Sequence, residues 1–192
     1  MSITLYYIKY LQNLVDKLIG EYRLKSILLI ATTSEGESLE HVMRHTYASP
    51  LLLWNLDYSE FKEFVYELNP PRESVDDELW RLTGGNPRAL IEIVDVFNWN
   101  TSLWVKSIEA KLKAITETVG KSKLRRVLEN IDALLHGYEV RKKLIEYNLI
   151  VYVAYPTLAF KKLNVDQELG IGEYYAWQIP AYKRILLKII QD

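Results

Sequence analysis

Residues 82–90 read Leu-Thr-Gly-Gly-Asn-Pro-Arg-Ala-Leu, and this stretch constrains the fold more than any other. The paired glycines are expected to end the helix that runs in from Asp76, because glycine tolerates the left-handed backbone of a helix C-terminus. Asn86 is a favoured N-cap and Pro87 a favoured first helical residue, so a new helix begins here. Arg88 then lies in the first turn, where N–H groups and the helix dipole suit an anion such as a nucleotide phosphate. The alternative is a well-made helix corner with a surface arginine.

Two short apolar runs precede this turn. Residues 27–31 read Ile-Leu-Leu-Ile-Ala, and residues 51–56 read Leu-Leu-Leu-Trp-Asn-Leu. Such runs are too short for buried helices and predict strands of a parallel sheet that is covered on both faces. The first run ends in polar residues that include Ser34, and ligands of open α/β sheets bind at the carboxyl ends of the strands.

The order strand, polar tip, helix, strand, helix and glycine turn, over residues 27–96, resembles the archaeal branch of the AAA+/STAND-type P-loop ATPases. The resemblance makes residues 27–31 the sensor-1 strand and the Gly-Gly-Asn-Pro-Arg turn the sensor-2 region that opens the lid helix. It therefore implies a nucleotide site that includes Ser34, Asn86, Pro87 and Arg88.

The parts of that family that bind phosphate and magnesium are missing from the sequence. The loop Gly-x-x-x-x-Gly-Lys-Ser/Thr does not occur, and the nearest match, residues 120–122, lacks the first glycine and follows a helix. No apolar strand ending in paired acidic residues precedes Ser26. We therefore expect a truncated, non-catalytic ATPase-like chain, with ATP or ADP bound only weakly or together with a partner chain.

Composition and charge further narrow the class of protein and the partners that we expect. The absence of cysteine excludes disulfides, and no apolar run approaches the length of a bilayer span or the pattern of a signal peptide, so we expect a cytoplasmic protein. His41 and His45 share one helix face but lack a third ligand, so no metal site is predicted. The first 100 residues carry a net charge of −6 and the last 92 carry +5. This asymmetry indicates a surface for nucleic acid or an acidic partner in the second half, and the alternative is ordinary solvated helix faces.

The second half of the chain has the predicted order helix, helix, helix, strand, long loop, strand, which is the order of a winged helix-turn-helix. The third helix, at residues 138–148, would be the recognition helix, and the loop at residues 156–172 would be the wing. The candidate contacts with double-stranded DNA are Arg141, Lys142, Lys143, Lys161 and Lys162. Acidic residues on both elements leave open a solvated face or a protein-docking surface.

These observations predict a mainly helical α+β fold with about two strands left from a parallel P-loop sheet. The expected divisions are residues 1–68 for the remnant of the nucleotide domain, 69–100 for a helical lid and 101–192 for the winged helix. The predicted function is a nucleotide-sensing or DNA-binding regulatory remnant, or one half of a split ATPase. The alternative is a protein-interaction module. Unpaired strand edges would favour self-association or a chain that supplies the missing ATPase half.

Overall fold

A computed structural model describes residues 3–28, 30, 32, 49–71 and 75–191 of the chain. These residues confirm the mainly helical α+β class, since only one small two-stranded sheet accompanies the described helices. The chain divides into two compact units, Met1–Pro50 and Leu51–Asp192. The predicted divisions after residues 68 and 100 stay predictions.

The first unit begins with helix α1, Ile3–Tyr22. The helix continues for two residues beyond Gly20, since an exposed helical glycine costs only about 1 kcal/mol. Across Gly20, Lys17 pairs with Glu21 at 3.6 Å, the i,i+4 spacing that supports an exposed helix.

Neither apolar run is a strand in the described residues, which corrects the prediction of a parallel-sheet remnant. Leu28 and Ile30 are 84% and 77% exposed. Residues 51–56 form neither a helix nor a strand, and their only ladder contact in the described chain is a single parallel bridge between Leu52 and Thr157. A strand needs a neighbouring strand to accept its backbone hydrogen bonds, whereas the N–H groups of Leu52 and Leu56 donate to the carbonyls of Pro156 and Gly85, which belong to no strand.

Two helices open the second unit. Helix α2 (Tyr58–Glu67) begins at a capping box in which the Asp57 side chain accepts from the Glu60 N–H. Helix α3 (Asp76–Thr83) lies against it, and the buried Asp76 carboxylate pairs with Lys62 of α2 at 3.2 Å. Burial by itself raises the pKa of Asp76, but the hydrogen bonds from Lys62, from backbone N–H and from Tyr58, together with the charge of Lys62, lower it below its usual value. The ion pair therefore joins α2 to α3.

The predicted glycine turn is present in detail. Helix α3 ends at Gly84, whose φ of +59° is left-handed. Helix α4 (Pro87–Ile91) follows with Asn86 as its N-cap and Pro87 at the first position, as the sequence indicates. Beyond Ile91 the hydrogen-bonding pattern changes, because Glu92–Val96 forms a π-helical turn.

The rest of the second unit follows the predicted order of elements. Beyond residue 100 the chain forms helix α5 (Thr101–Val119), helix α6 (Lys121–Glu129), a 3-10 turn (Ile131–Leu135), helix α7 (Tyr138–Glu146), strand β1 (Ile150–Tyr152), strand β2 (Tyr175–Trp177) and helix α8 (Pro180–Gln191). Helix α6 and the 3-10 turn are separated by Asn130, which adopts extended backbone and caps the 3-10 turn. Helix α8 packs against α5 and buries Leu186 and Ile190 in the main core.

Strands β1 and β2 form an antiparallel hairpin in which Ile150 faces Trp177 and Tyr152 faces Tyr175. The carboxylate of Asp132, in the 3-10 turn, accepts backbone N–H bonds of 2.7–3.0 Å from residues 173–175. These bonds fix the start of β2 to the helical part of the unit. None of the helices in the described part of the chain has the length and apolar character that crossing a bilayer requires.

The packing around Gly85 predicts a large effect of one added methyl group. Gly85 has φ +80°, and a Cβ there would overlap the Leu56 carbonyl and lie 2.8 Å from the Trp80 ring. We expect Gly85→Ala to cost more than the ~1–2 kcal/mol of left-handed strain alone, measured as the free energy of unfolding in urea.

Gly120→Ala is the matched control, because Gly120 has φ +92° and no atom lies within 4 Å of the position that a Cβ would take there. This variant isolates the backbone strain from the overlap. If the two variants lose equal unfolding free energy, the expected overlap of the added methyl group with the Leu56 carbonyl is contradicted.

Candidate functional site

The turn at residues 84–86 is the centre of a hydrogen-bonded junction. The Gly85 carbonyl accepts from the Leu56 N–H at 3.0 Å. The Asn86 side-chain amide donates to the Asn55 side-chain oxygen at 3.0 Å, and the Asn55 amide donates in turn to the Gln178 carbonyl at 3.2 Å. The turn thereby joins the segment 51–56 to the chain that leads into α8.

Other hydrogen bonds of Asn86 occupy most of the backbone N–H groups that an anion would use at the start of α4. Pro87 has no N–H, the Asn86 side chain accepts from the Ala89 N–H at 3.0 Å, and the Asn86 carbonyl accepts from the Leu90 N–H at 3.1 Å. A phosphate at this end of α4 would therefore depend mainly on the Arg88 side chain.

Arg88 is exposed, and within the described residues its side chain makes no hydrogen bond or ion pair. Its charge does reach a neighbouring tyrosine. Burial raises the pKa of Tyr182 on α8, the Glu92 carboxylate raises it further, and Arg88 partly offsets both. Arg88 is thus available to an anion, whereas Asn86 and Pro87 have structural roles in this turn, and their place in a nucleotide site stays a prediction.

Other predicted positions lie outside the described residues. Ser34, proposed as the sensor-1 residue, is one of them, as are His41 and His45. Among the residues that are described, no group of three or more histidine, aspartate or glutamate side chains is arranged to hold a metal ion.

The predicted DNA contacts on α7 already have partners within the protein. Lys143 bonds Glu146 at 2.7 Å, and Lys142 lies 3.9 Å from the same carboxylate. The hydrogen bond and charge of Lys143 lower the pKa of Glu146, so the carboxylate stays ionised beside both lysines. Arg141 donates to the Leu134 carbonyl at 3.4 Å and lies over the Tyr138 ring.

The two predicted wing lysines are placed differently. Lys161 and Lys162 are exposed in the loop between β1 and β2, and no ion pair involves them in the described chain. The loop turns tightly at Phe160, which has φ +57° and whose N–H donates to the Thr157 carbonyl at 2.8 Å. Lys161 and Lys162 are therefore exposed to solvent, whereas the cations of α7 contact groups within the protein.

The basic face of α6 was missed by the sequence reasoning, which considered Lys121 only as part of a failed phosphate loop. Residues 121–126 read Lys-Ser-Lys-Leu-Arg-Arg, and all four cations are exposed. The available signal was this cluster of positive charge on one short amphipathic helix.

Comparison with known proteins gives one match. Residues 3–93, just under half of the chain, match the model of an ATPase domain found predominantly in Archaea. This match supports similarity to an archaeal ATPase-like family. It includes the Gly-Gly-Asn-Pro-Arg turn and ends before α5. No curated protein matches the chain. No solved structure matches it either.

The junction predicts that Asn86 and Arg88 differ in their effects on stability. Asn86→Ala removes the cap of α4 and the bond to Asn55, and we expect it to lower the free energy of unfolding by ~1–2 kcal/mol. Arg88→Ala should change it by no more than ~0.5 kcal/mol, as for an ordinary surface substitution. Urea denaturation followed by circular dichroism measures both.

Asn86→Asp is the control for the cap, because it keeps the acceptor for the Ala89 N–H, replaces the donor to Asn55 by an acceptor and adds a negative charge, which a helix N-terminus favours. The loss of unfolding free energy in Asn86→Asp should lie between the losses in Asn86→Ala and Arg88→Ala. A larger loss for Arg88→Ala than for Asn86→Ala would contradict the structural role of Asn86.

Proposed function

We propose that this protein is a non-catalytic relative of archaeal ATPases whose C-terminal half is a winged helix that binds duplex DNA in the cytoplasm. The first part of the proposal is supported by the family match over residues 3–93 together with the absence of a phosphate loop from the sequence. Phosphoryl transfer depends almost entirely on positioning and charge stabilisation by that loop and its magnesium ion, so their loss removes the chemistry.

The observation that carries the DNA part is the arrangement beyond residue 100. Helices α5, α6 and α7 are followed by the antiparallel β1–β2 hairpin, which is the order of a winged helix-turn-helix. The bonds from residues 173–175 to Asp132 hold the hairpin against the helices. In this proposal α7 is the recognition helix and residues 156–172 are the wing.

Charge supports a polyanionic partner for this half. Residues 101–192 carry a net charge of +5, against −6 for residues 1–100. Nonspecific attraction to the phosphate backbone supplies much of the affinity of DNA-binding proteins. Within the proposed winged helix, exposed Lys161 and Lys162 are suited to phosphate contacts from the wing, with Arg141, Lys142 and Lys143 as the contacts from α7.

The proposal treats residues 69–100 as the lid of an AAA+/STAND-type ATPase, with Arg88 as its sensor-2 arginine. Exposure of Arg88 supports this role, while the bonds made by Asn86 favour a lid corner whose shape does not depend on nucleotide. Binding of ATP or ADP would then be weak, or would need a partner chain that carries the phosphate loop.

A second candidate function, a protein-interaction module, is favoured by apolar exposure in the second unit. Leu53 is 76% exposed and Phe160 is 78% exposed, and the Leu52 N–H donates to the Pro156 carbonyl near the start of the same loop. Exposed apolar side chains of this size mark protein contacts when they form a contiguous patch. A second copy of this chain, or the missing ATPase half, would be the partner.

The first consequence concerns catalysis. We expect the 192-residue chain to release no phosphate from ATP above a buffer blank, because its sequence has no group to cradle the transferred phosphoryl. A coupled phosphate-release assay in the presence of Mg²⁺ measures this. Turnover that disappears in Arg88→Ala would contradict the proposal, because it would show a working nucleotide site.

The second consequence concerns the wing. Lys161→Gln combined with Lys162→Gln should weaken duplex binding and reduce the slope of log K against log salt by about 1 per lysine. Fluorescence anisotropy of a labelled duplex over a salt series measures both quantities. Lys17→Gln is the control, because Lys17 lies in the first unit and pairs with Glu21.

The two candidate functions separate in the same experiment. Salt-dependent duplex binding by a monomer, as judged by sedimentation, supports the winged helix. Failure of the wild-type chain to bind any duplex at low salt removes it, and self-association under those conditions would favour the interaction module.

A further inference from the structure

The basic face of α6 carries the strongest unpaired charge in the described part of the second unit. Lys121, Lys123, Arg125 and Arg126 are all exposed, and none of their side chains makes an ion pair or hydrogen bond with a described residue. Their helix is anchored on its other side by buried Leu124, Val127 and Leu128. The charge is therefore displayed on a helix whose orientation is fixed by the core.

Two of these cations line a groove of about 660 Å³ between α6 and the start of α7. The polar side chains of the groove are Ser122, Lys123, Arg126, His136, Tyr138 and Glu139. Glu139 is the only carboxylate among them, so two permanent positive charges face one negative charge. Gly137 also lines the groove and offers no side chain to cap the first N–H groups of α7, which adds a weaker attraction for anions.

The cations of α7 differ from those of α6 in their availability. Lys142 and Lys143 share Glu146, and Arg141 is engaged with Leu134 and Tyr138. A phosphate that binds α7 must compete with the Glu146 carboxylate, whereas Lys123 and Arg126 form no ion pair with a described residue that a phosphate would have to break. Exposed lysines and arginines of equal formal charge therefore differ in their value as phosphate contacts.

We propose that duplex DNA lies across the groove between α6 and α7, with Lys123 and Arg126 as the main phosphate contacts and the α7 lysines as secondary ones. This inference rests on the proposed DNA binding and changes the surface that provides it. The chemistry favours nucleic acid over an acidic protein, because lysine is depleted at protein interfaces, whereas phosphate backbones are bound largely by lysine and arginine.

Two matched double variants of the full chain test the proposal. Lys123→Gln with Arg126→Gln removes two charges from α6, and Lys142→Gln with Lys143→Gln removes two from α7. The α6 variant should bind a labelled duplex at least ~10-fold more weakly at low salt and reduce the salt slope by about 2. The α7 variant should lose less affinity for the duplex, because Glu146 already neutralises much of the charge of Lys142 and Lys143. Glu139→Gln should increase affinity.

The outcomes distinguish failure of the proposed DNA binding from failure of its assignment to the α6–α7 groove. None of these side chains is buried, and unchanged thermal unfolding by circular dichroism confirms that each variant is folded. If the wild-type chain binds no duplex, or binds an acidic polypeptide and not DNA, the DNA-binding function itself is wrong. If the wild-type chain binds duplex but the α7 variant loses as much affinity as the α6 variant or more, only the assignment to the α6–α7 groove is overturned.

Discussion

The hydrogen-bonded junction at residues 84–86 is the constraint on which the second unit depends. Its bonds from Leu56 to Gly85, from Asn86 to Asn55 and from Asn55 to the Gln178 carbonyl connect three parts of the chain that are distant in sequence. Only a residue without a side chain fits at Gly85, because Leu56 and Trp80 occupy the space. Helices α3 and α4, the segment 51–56 and the entry to α8 therefore have their positions set together.

This junction also limits what the turn can do for a nucleotide. Asn86 caps α4 with its side-chain oxygen and uses its amide on Asn55, so both ends of the side chain are committed to structure. Arg88 is the part of the motif that remains exposed. The hydrogen bonds of Asn86 all lie within the protein, so the shape of this corner does not depend on a bound phosphate.

Pairing within the protein similarly decides which positive charges are available to a partner. Glu146 lies three and four residues beyond Lys143 and Lys142, the spacing at which side chains of a helix meet, and it holds both. Helix α6 has one acidic residue, Glu129, at its end, and its four cations stay unpaired within the described chain. Helix α6 therefore offers a partner more unpaired positive charge than helix α7 does.

The sequence by itself determined the features that depend on near neighbours. The glycine end of α3, the Asn86 cap, the Pro87 start and the order of helices and hairpin beyond residue 100 all follow from local propensity, and the structure has each of them. Tertiary structure alone decided the fate of the apolar runs, because a strand needs a distant partner to accept its hydrogen bonds. The Leu52 N–H donates to the Pro156 carbonyl and the Leu56 N–H donates to the Gly85 carbonyl, and the sequence of the run predicts neither hydrogen bond. The same holds for Asp132, whose three bonds to residues 173–175 span some forty residues and exist only once the hairpin is folded.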